Sequence, residues 1–316
     1  MNKTKVSDLA YIRLRSPDLD CAEEFLTDFG LTRVERTTTA LYMRGTGPMH
    51  HLHVTELGEP KVVGMAFTVD SLEVLEEFSR QSGATPVESI DEPGGGHRVR
   101  LADPNGYQVE IVHGIARHDP LPVQPRQMNL GNAQPQRTGS LMRVPRQPSQ
   151  VKRIGHVVMV APDYVRTLRW YQQTLGLLPS DNVWLDGPED TFASFNRLDR
   201  GEEYVDHHVF MLSRGAGRGA GMNHVSFEVQ DLDDLMVGHD FLRAKNRKHY
   251  WGVGRHHLGS QIFDYWADPW GRGHEHWTDG DLLNSSHEFT NVPIREGFNS
   301  QWGDAPPLEF VELASA

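Results

Sequence analysis

"AYIRLRSPDLDCAEEFLTDFGLTRV" at residues 10–34 and "GHVVMVAPDYVRTLRWYQQTLGLLP" at residues 155–179 follow one plan. An alternating apolar stretch predicts a strand, a Pro-Asp pair opens a helix, an amphipathic run continues it, and Gly-Leu stops it. The acidic residues Asp18 and Asp163 suit a helix start, where the dipole and free N–H groups favour negative charge.

The repeat extends outward from these stretches. "GMAFTVDSLEVLEEF" (64–78) parallels "NHVSFEVQDLDDLMVGHDFL" (223–242), again a strand and then a helix. "RLADPNGYQVEIVHG" (100–114) parallels "DYWADPWGRGHEHWTDG" (264–280), where an Asp-Pro-x-Gly turn joins two strands. Each half therefore holds two units of strand, helix and several strands, an internal repeat that buries faces a lone unit leaves open. Residues 115–150 are rich in Pro, Gln and Arg without an apolar period and read as a linker. The expected division is a first domain over 1–114, the linker, a second domain over 151–280 and a tail over 281–316.

The 316 residues suffice for two domains with their own cores. A net charge of -12 without a Lys/Arg cluster argues against nucleic-acid binding. No apolar run is long enough to span a bilayer. The N-terminus enters an alternating pattern with no secretory signal, so a cytoplasmic location is expected. Cys21 is the single cysteine, so a metal site here must use N and O ligands.

Histidine supplies the chemistry, with 17 in the chain. A lone histidine is more often a surface or satisfied core residue than a ligand, so position decides. Aligned on the repeat, Tyr11 and Gly64 of the first half correspond to His156 and His224 of the second, while Glu110 corresponds to Glu275. Only the second half holds two histidines and a carboxylate at these places, each on a different predicted strand with its side chain turned inward. Two His and one carboxylate leave open positions on an octahedral ion and suit non-haem Fe(II); they also suit a catalytic zinc. Alternation turns His274 and His276 to the face opposite Glu275, as outer-shell or surface groups.

These features resemble vicinal oxygen chelate modules, and from about residue 8 to 280 the chain resembles a two-domain type I extradiol ring-cleavage dioxygenase of the catechol 2,3-dioxygenase kind. The resemblance implies an α+β fold, with two βαβββ modules per domain forming an incompletely closed barrel and the metal confined to the second domain. It implies His156, His224 and Glu275 as ligands of Fe(II), with Mn(II) also suited, and dioxygen as co-substrate. In "YVDHHVFML" His208 falls at the acid/base position, with His207 facing away. In "GVGRHHLGSQIFDYWADP" His256, or His257 if the register slips by one, and Tyr265 fall where the substrate oxygens are held. The implied reaction is extradiol cleavage of a catechol, substituted or polyhydroxylated, to a 2-hydroxymuconic semialdehyde type product in aromatic catabolism, by a homotetramer.

Rival readings are a hydroquinone dioxygenase, a metal-dependent isomerase of the same superfamily, and a ligand-sequestering binding protein. Phe195, Trp251 and Trp266 are candidate pocket walls. "GAGRGAGMN" (215–223) lacks the Lys-Ser/Thr of a phosphate loop and reads as a flexible hairpin loop. The tail is expected to wrap over the second domain and narrow the entrance.

Overall fold

The computed structural model describes residues 4–123, 126–215, 217 and 219–316. The first half runs β1 (Asp8–Ser16), α1 (Leu19–Asp28), β2 (Thr32–Arg36), β3 (Ala40–Arg44), β4 (His53–Leu57), β5 (Lys61–Thr68), α2 (Leu72–Ser79), β6 (Glu88–Ser89), β7 (His97–Ala102) and β8 (Gln108–His113). The second half runs β9 (Arg153–Ala161), α3 (Tyr164–Leu175), β10 (Leu178–Trp184), β11 (Thr191–Arg197), β12 (Val205–Asp206), β13 (Phe210–Arg214), β14 (Gly221–Glu228), α4 (Leu232–Ala244), β15 (His249–His256), β16 (Ile262–Ala267) and β17 (Gly273–Thr278). Beyond it come β18 (Leu282–Leu283), β19 (Thr290–Pro293), α5 (Ile294–Gly297), β20 (Ser300–Trp302) and α6 (Leu308–Val311).

The helix starts form for the expected reason. Asp18, Ser71, Asp163 and Asp231 are N-caps whose side chains accept backbone N–H groups of the first turn. Gly176 closes α3 in a left-handed conformation that its missing Cβ allows. The Asp-Pro turns are held by their aspartates: Asp103 accepts the N–H groups of Asn105 and Tyr107, and Asp268 those of Trp270 and Arg272.

Among the described residues two large open sheets result, neither of which closes into a barrel, beside a two-stranded sheet of β12 and β18. The first has the order β2-β3-β4-β1-β5-β8-β7-β6, and the second β19-β10-β11-β13-β9-β14-β17-β16-β15-β20. At each centre two antiparallel strands, β1 with β5 and β9 with β14, are flanked by parallel partners. The fold is mixed α+β, mostly sheet. Because β9 lies between β13 and β14, the glycine-rich loop is a crossover and not a hairpin; its residues 216 and 218, like linker residues 124 and 125, lie outside the described residues.

The halves pack through side chains facing away from the cavity of the second sheet. His276 stacks on Phe29 with centroids 3.8 Å apart, and its Nε2 donates to the Phe29 carbonyl oxygen at 2.6 Å. His274 is fully buried against Phe25, Phe29 and His53. Neither histidine is a surface group, which corrects that part of the expectation: the opposite face of β17 is the contact between halves. Burial pushes both imidazoles down to about 4, so they pack as neutral rings.

Candidate metal centre and substrate cavity

Strand register brings the three candidate ligands together. Ser226 of β14 is the cross-strand partner of both His156 in β9 and Glu275 in β17, so the three side chains share one face. The small serine leaves room above it for the outer two to meet. His224, two residues earlier on β14, follows a bulge at Asn223 that turns both Asn223 and His224 toward the cavity. His156 Nε2 lies 2.9 Å from Glu275 Oε2, and His224 Nε2 lies 3.4 Å from both His156 Nε2 and Glu275 Oε2. Bonds of about 2.1 Å from a common ion would place neighbouring ligand atoms about 3.0 to 3.4 Å apart.

The electrostatics fit a cation. Glu275 is fully buried, and its carboxylate oxygens face the imidazoles of His156, His224 and His256 at 2.9, 3.4 and 3.7 Å. Burial alone would raise its pKa, but His156, His256 and His224 around it hold it well below the usual carboxylate range. Burial pushes His224 down to about 3, outweighing Glu275, and so keeps its imidazole neutral as a ligand must be. His224 Nδ1 is 2.7 Å from Asn223 Oδ1, which fixes the proton on Nδ1 and leaves Nε2 as the donor nitrogen. Asn223 is itself held by the tail, donating to the carbonyls of Phe310 and Leu313.

Above these residues lies a cavity of about 200 Å³. His208 lines it, its ring 4.2 Å from that of His156 and edge-on to Phe195. His207 is also buried: its Nε2 meets Asp181 Oδ2 at 2.6 Å and its Nδ1 meets His208 Nδ1 at 3.1 Å. If His207 donates from Nε2 to Asp181, its Nδ1 accepts from His208 Nδ1, which leaves His208 Nε2 without a proton. Burial and the His156 and His207 rings push the His208 pKa well below its ordinary value.

His256 Nε2 is 2.8 Å from the Tyr265 hydroxyl and 3.7 Å from Glu275 Oε1, whereas His257 is exposed. The structure thus turns His256, not His257, into the cavity. Burial and the Glu275 charge push the Tyr265 hydroxyl well above its ordinary pKa.

Phe195 and Trp251 line the cavity, but Trp266 does not. It sits on the other face of β16, fully buried in the core. The tail supplies walls that the sequence did not identify by residue: Ile294, Phe298, Pro306 and Phe310. Its strands β19 and β20 join the sheet at both edges. Asn223 and Asp181 also escaped the sequence reading. The His50-His51 pair, a copy of His207-His208 with its Nδ1 atoms 3.0 Å apart, was a usable signal for the register of the second pair.

Comparisons with known proteins agree with this architecture. The chain is 29% identical over 318 residues to metapyrocatechase 2 of Cupriavidus necator, covering 98% of this chain and 93% of that protein. The Mn(II)-bound glyoxalase of Novosphingobium aromaticivorans superposes with a TM-score of 0.78 at 22% identity, over 96% of this chain and 94% of the other. Homoprotocatechuate 2,3-dioxygenase of Brevibacterium fuscum, in complex with 3,4-dihydroxyphenylacetate, gives 0.79 at 20% identity over 98% and 93%. The model of the Glyoxalase/Bleomycin resistance protein/Dioxygenase superfamily matches twice, at residues 8–111 and 153–272, once in each half of the repeat. With both matches falling on the two sheets, the chain belongs to that superfamily.

Proposed function

We propose that this protein is an extradiol dioxygenase that opens the ring of a catechol beside its two hydroxyls, adding both atoms of dioxygen to give a 2-hydroxymuconic semialdehyde. The observation that carries this reading is convergence: His156, His224 and Glu275 meet beneath one apolar cavity that also presents His208, His256 and Tyr265. An isomerase of the same superfamily needs the ligand set but not these three further groups. The 29% identical relative is named a metapyrocatechase, which supports the same reaction.

His156, His224 and Glu275 would hold Fe(II), with Mn(II) suited to the same donors. When bound, such an ion supplies adjacent positions where a diol and dioxygen can meet. The chain does the rest. His208, neutral in its buried place, accepts a proton at Nε2 as the diol binds and returns it readily as the ring opens. His256 and Tyr265, already joined at 2.8 Å, donate to the substrate oxygens as negative charge builds. Phe195, Trp251, Phe298 and Phe310 exclude water, which strengthens these interactions.

The walls also bear on substrate choice. No Lys, Arg, Asp or Glu is among the described residues that line the cavity, so an anionic ring substituent finds no Lys or Arg to neutralise it there. The substrate class this favours is a catechol with an uncharged methyl, alkyl or aryl group. No helix among the described residues is long and apolar enough to cross a membrane; the resemblance carries the further reading of a cytoplasmic homotetramer. The test is a substrate panel on Fe(II)-loaded and Mn(II)-loaded protein. The expected order is 3-methylcatechol and 2,3-dihydroxybiphenyl above 3,4-dihydroxyphenylacetate in kcat/KM, and the reverse order contradicts the assignment of the walls.

A further inference from the structure

On the face of β16 away from Tyr265, a second convergence of metal-binding groups lies between the sheet and α4. Asp264 is fully buried. His249 Nε2, from β15, lies 2.8 Å from Asp264 Oδ1, and His239 Nδ1, from α4, lies 3.1 Å from both carboxylate oxygens. One nitrogen of each ring and one carboxylate oxygen lie within 4.8 Å of one another. The two imidazoles stand nearly perpendicular, at 89° with centroids 5.1 Å apart. The local sequence makes the space: Gly252 faces Asp264 across the β15–β16 ladder, and a Cβ there would lie 2.9 Å from Asp264 Oδ1.

We infer that His239, His249 and Asp264 form a second metal site, for a divalent ion of the zinc class, separate from the ligand set beneath the substrate cavity. Two imidazoles and one carboxylate suit Zn(II), Cu(II) or Ni(II), and three protein ligands leave a fourth position for water. The donor separations of 2.8 and 3.1 Å are close to those imposed by metal bonds of about 2.1 Å. The Trp266 indole N–H donates to Asp264 Oδ2 at 2.6 Å, which orients the carboxylate as outer partners of metal ligands do. Access comes through His249, whose side chain is 28% exposed while Asp264 is closed off. Without an ion the same three groups form a hydrogen-bonded His–Asp–His cluster. Binding replaces the N–H bonds at His239 Nδ1 and His249 Nε2 by bonds to the ion while each ring ends neutral: an imidazolium releases that proton to solvent, and a neutral ring carries its one proton on the other nitrogen.

The experiment is a titration of the metal-free full chain with Zn(II) against a chromophoric chelator. Two ions per wild-type chain are expected, one at each site. His249→Gln should weaken the second by at least about tenfold, the lower limit seen when even an outer partner of a ligand is lost. Asp264→Asn should do the same; if it does not fold, His249→Gln decides, since that side chain is partly exposed. A second readout uses Glu275→Ala, in which zinc should raise the melting temperature through the remaining site, and Glu275→Ala/His249→Gln, in which it should not. Zinc binding undiminished in His249→Gln, or no zinc-dependent rise in the melting temperature of Glu275→Ala, overturns the proposal.

Discussion

Tyr11 in β1 and His156 in β9 hold the same position in two copies of one three-strand row, Tyr11–Ala66–Glu110 in the first sheet and His156–Ser226–Glu275 in the second. The outer pair meets across a small central residue in both, at 2.7 Å for Tyr11 to Glu110 and 2.9 Å for His156 to Glu275. What differs is the partner of the glutamate. Arg13 and Arg98 lie 3.3 and 3.2 Å from Glu110, whereas Glu275 faces imidazoles. One backbone arrangement thus supports an internal ion pair in one half and a candidate cation site in the other.

Removing a candidate ligand is the first consequence. His156→Ala, His224→Ala and Glu275→Ala should each weaken Mn(II) binding by more than about 100-fold, beyond what loss of an outer partner costs. An EPR titration of Mn(II) measures this, and undiminished binding in all three variants would remove the site.

Asn223 provides a graded version of the same test. Asn223→Leu deletes the oxygen that meets His224 Nδ1 at 2.7 Å and the amide that ties the tail to it. Metal affinity should fall by about 10- to 100-fold, and Asn223→Asp, which keeps the acceptor, should lose less. Equal losses in the two would mean that the hydrogen bond does not orient the ligand.

Proton handling separates from metal binding at His208. His208→Phe should keep the ion and lower kcat by about 10² to 10⁴, the usual scale of acid–base assistance. Asp181→Asn, two residues removed along the Asp181–His207–His208 chain, should keep the ion and move the acidic limb of the pH–kcat profile. An unaltered profile with full kcat would show that the chain takes no part.

Much of this was legible in the sequence because its cues are local. Pro-Asp caps, Asp-Pro turns and period-two strands are set by neighbouring residues, and the repeat placed His156, His224 and Glu275 at matching landmarks. The tail was not legible by residue, since Thr290 pairs with Asp181 and Phe310 accepts from Asn223 across long stretches of chain. Nor was the burial of His274 and His276, which depends on Phe25 and Phe29 of the other half. Trp266 was misplaced because an aromatic residue in a strand does not by itself declare its face.

The first half should make the protein sensitive to acid. Burial, with His50 and Arg13 nearby, pushes His51 from an ordinary 6.5 down to about 3. Burial raises Glu92, but Arg13 and Arg98 outweigh it and bring it from 4.5 down to about 2. In both windows the unfolded chain holds the extra proton, so stability is complete above pH 6.5 and declines as pH falls toward these folded values. Each proton contributes a slope of up to about 1.4 kcal/mol per pH unit. Thermal unfolding across this range should show His51→Leu with a shallower slope than the wild type; a wild-type melting temperature independent of pH would contradict the burial argument.

We propose that ring opening by dioxygen takes place in the cavity above His156, His224 and Glu275. The most direct measurement is oxygen consumption and product mass after anaerobic loading with Fe(II), addition of 3-methylcatechol, and admission of ¹⁸O₂. One dioxygen consumed per catechol, with both labelled atoms in a yellow ring-opened product, is the predicted result. An isomer of unchanged mass, or bound metal with no oxygen uptake across the catechol panel, would contradict it.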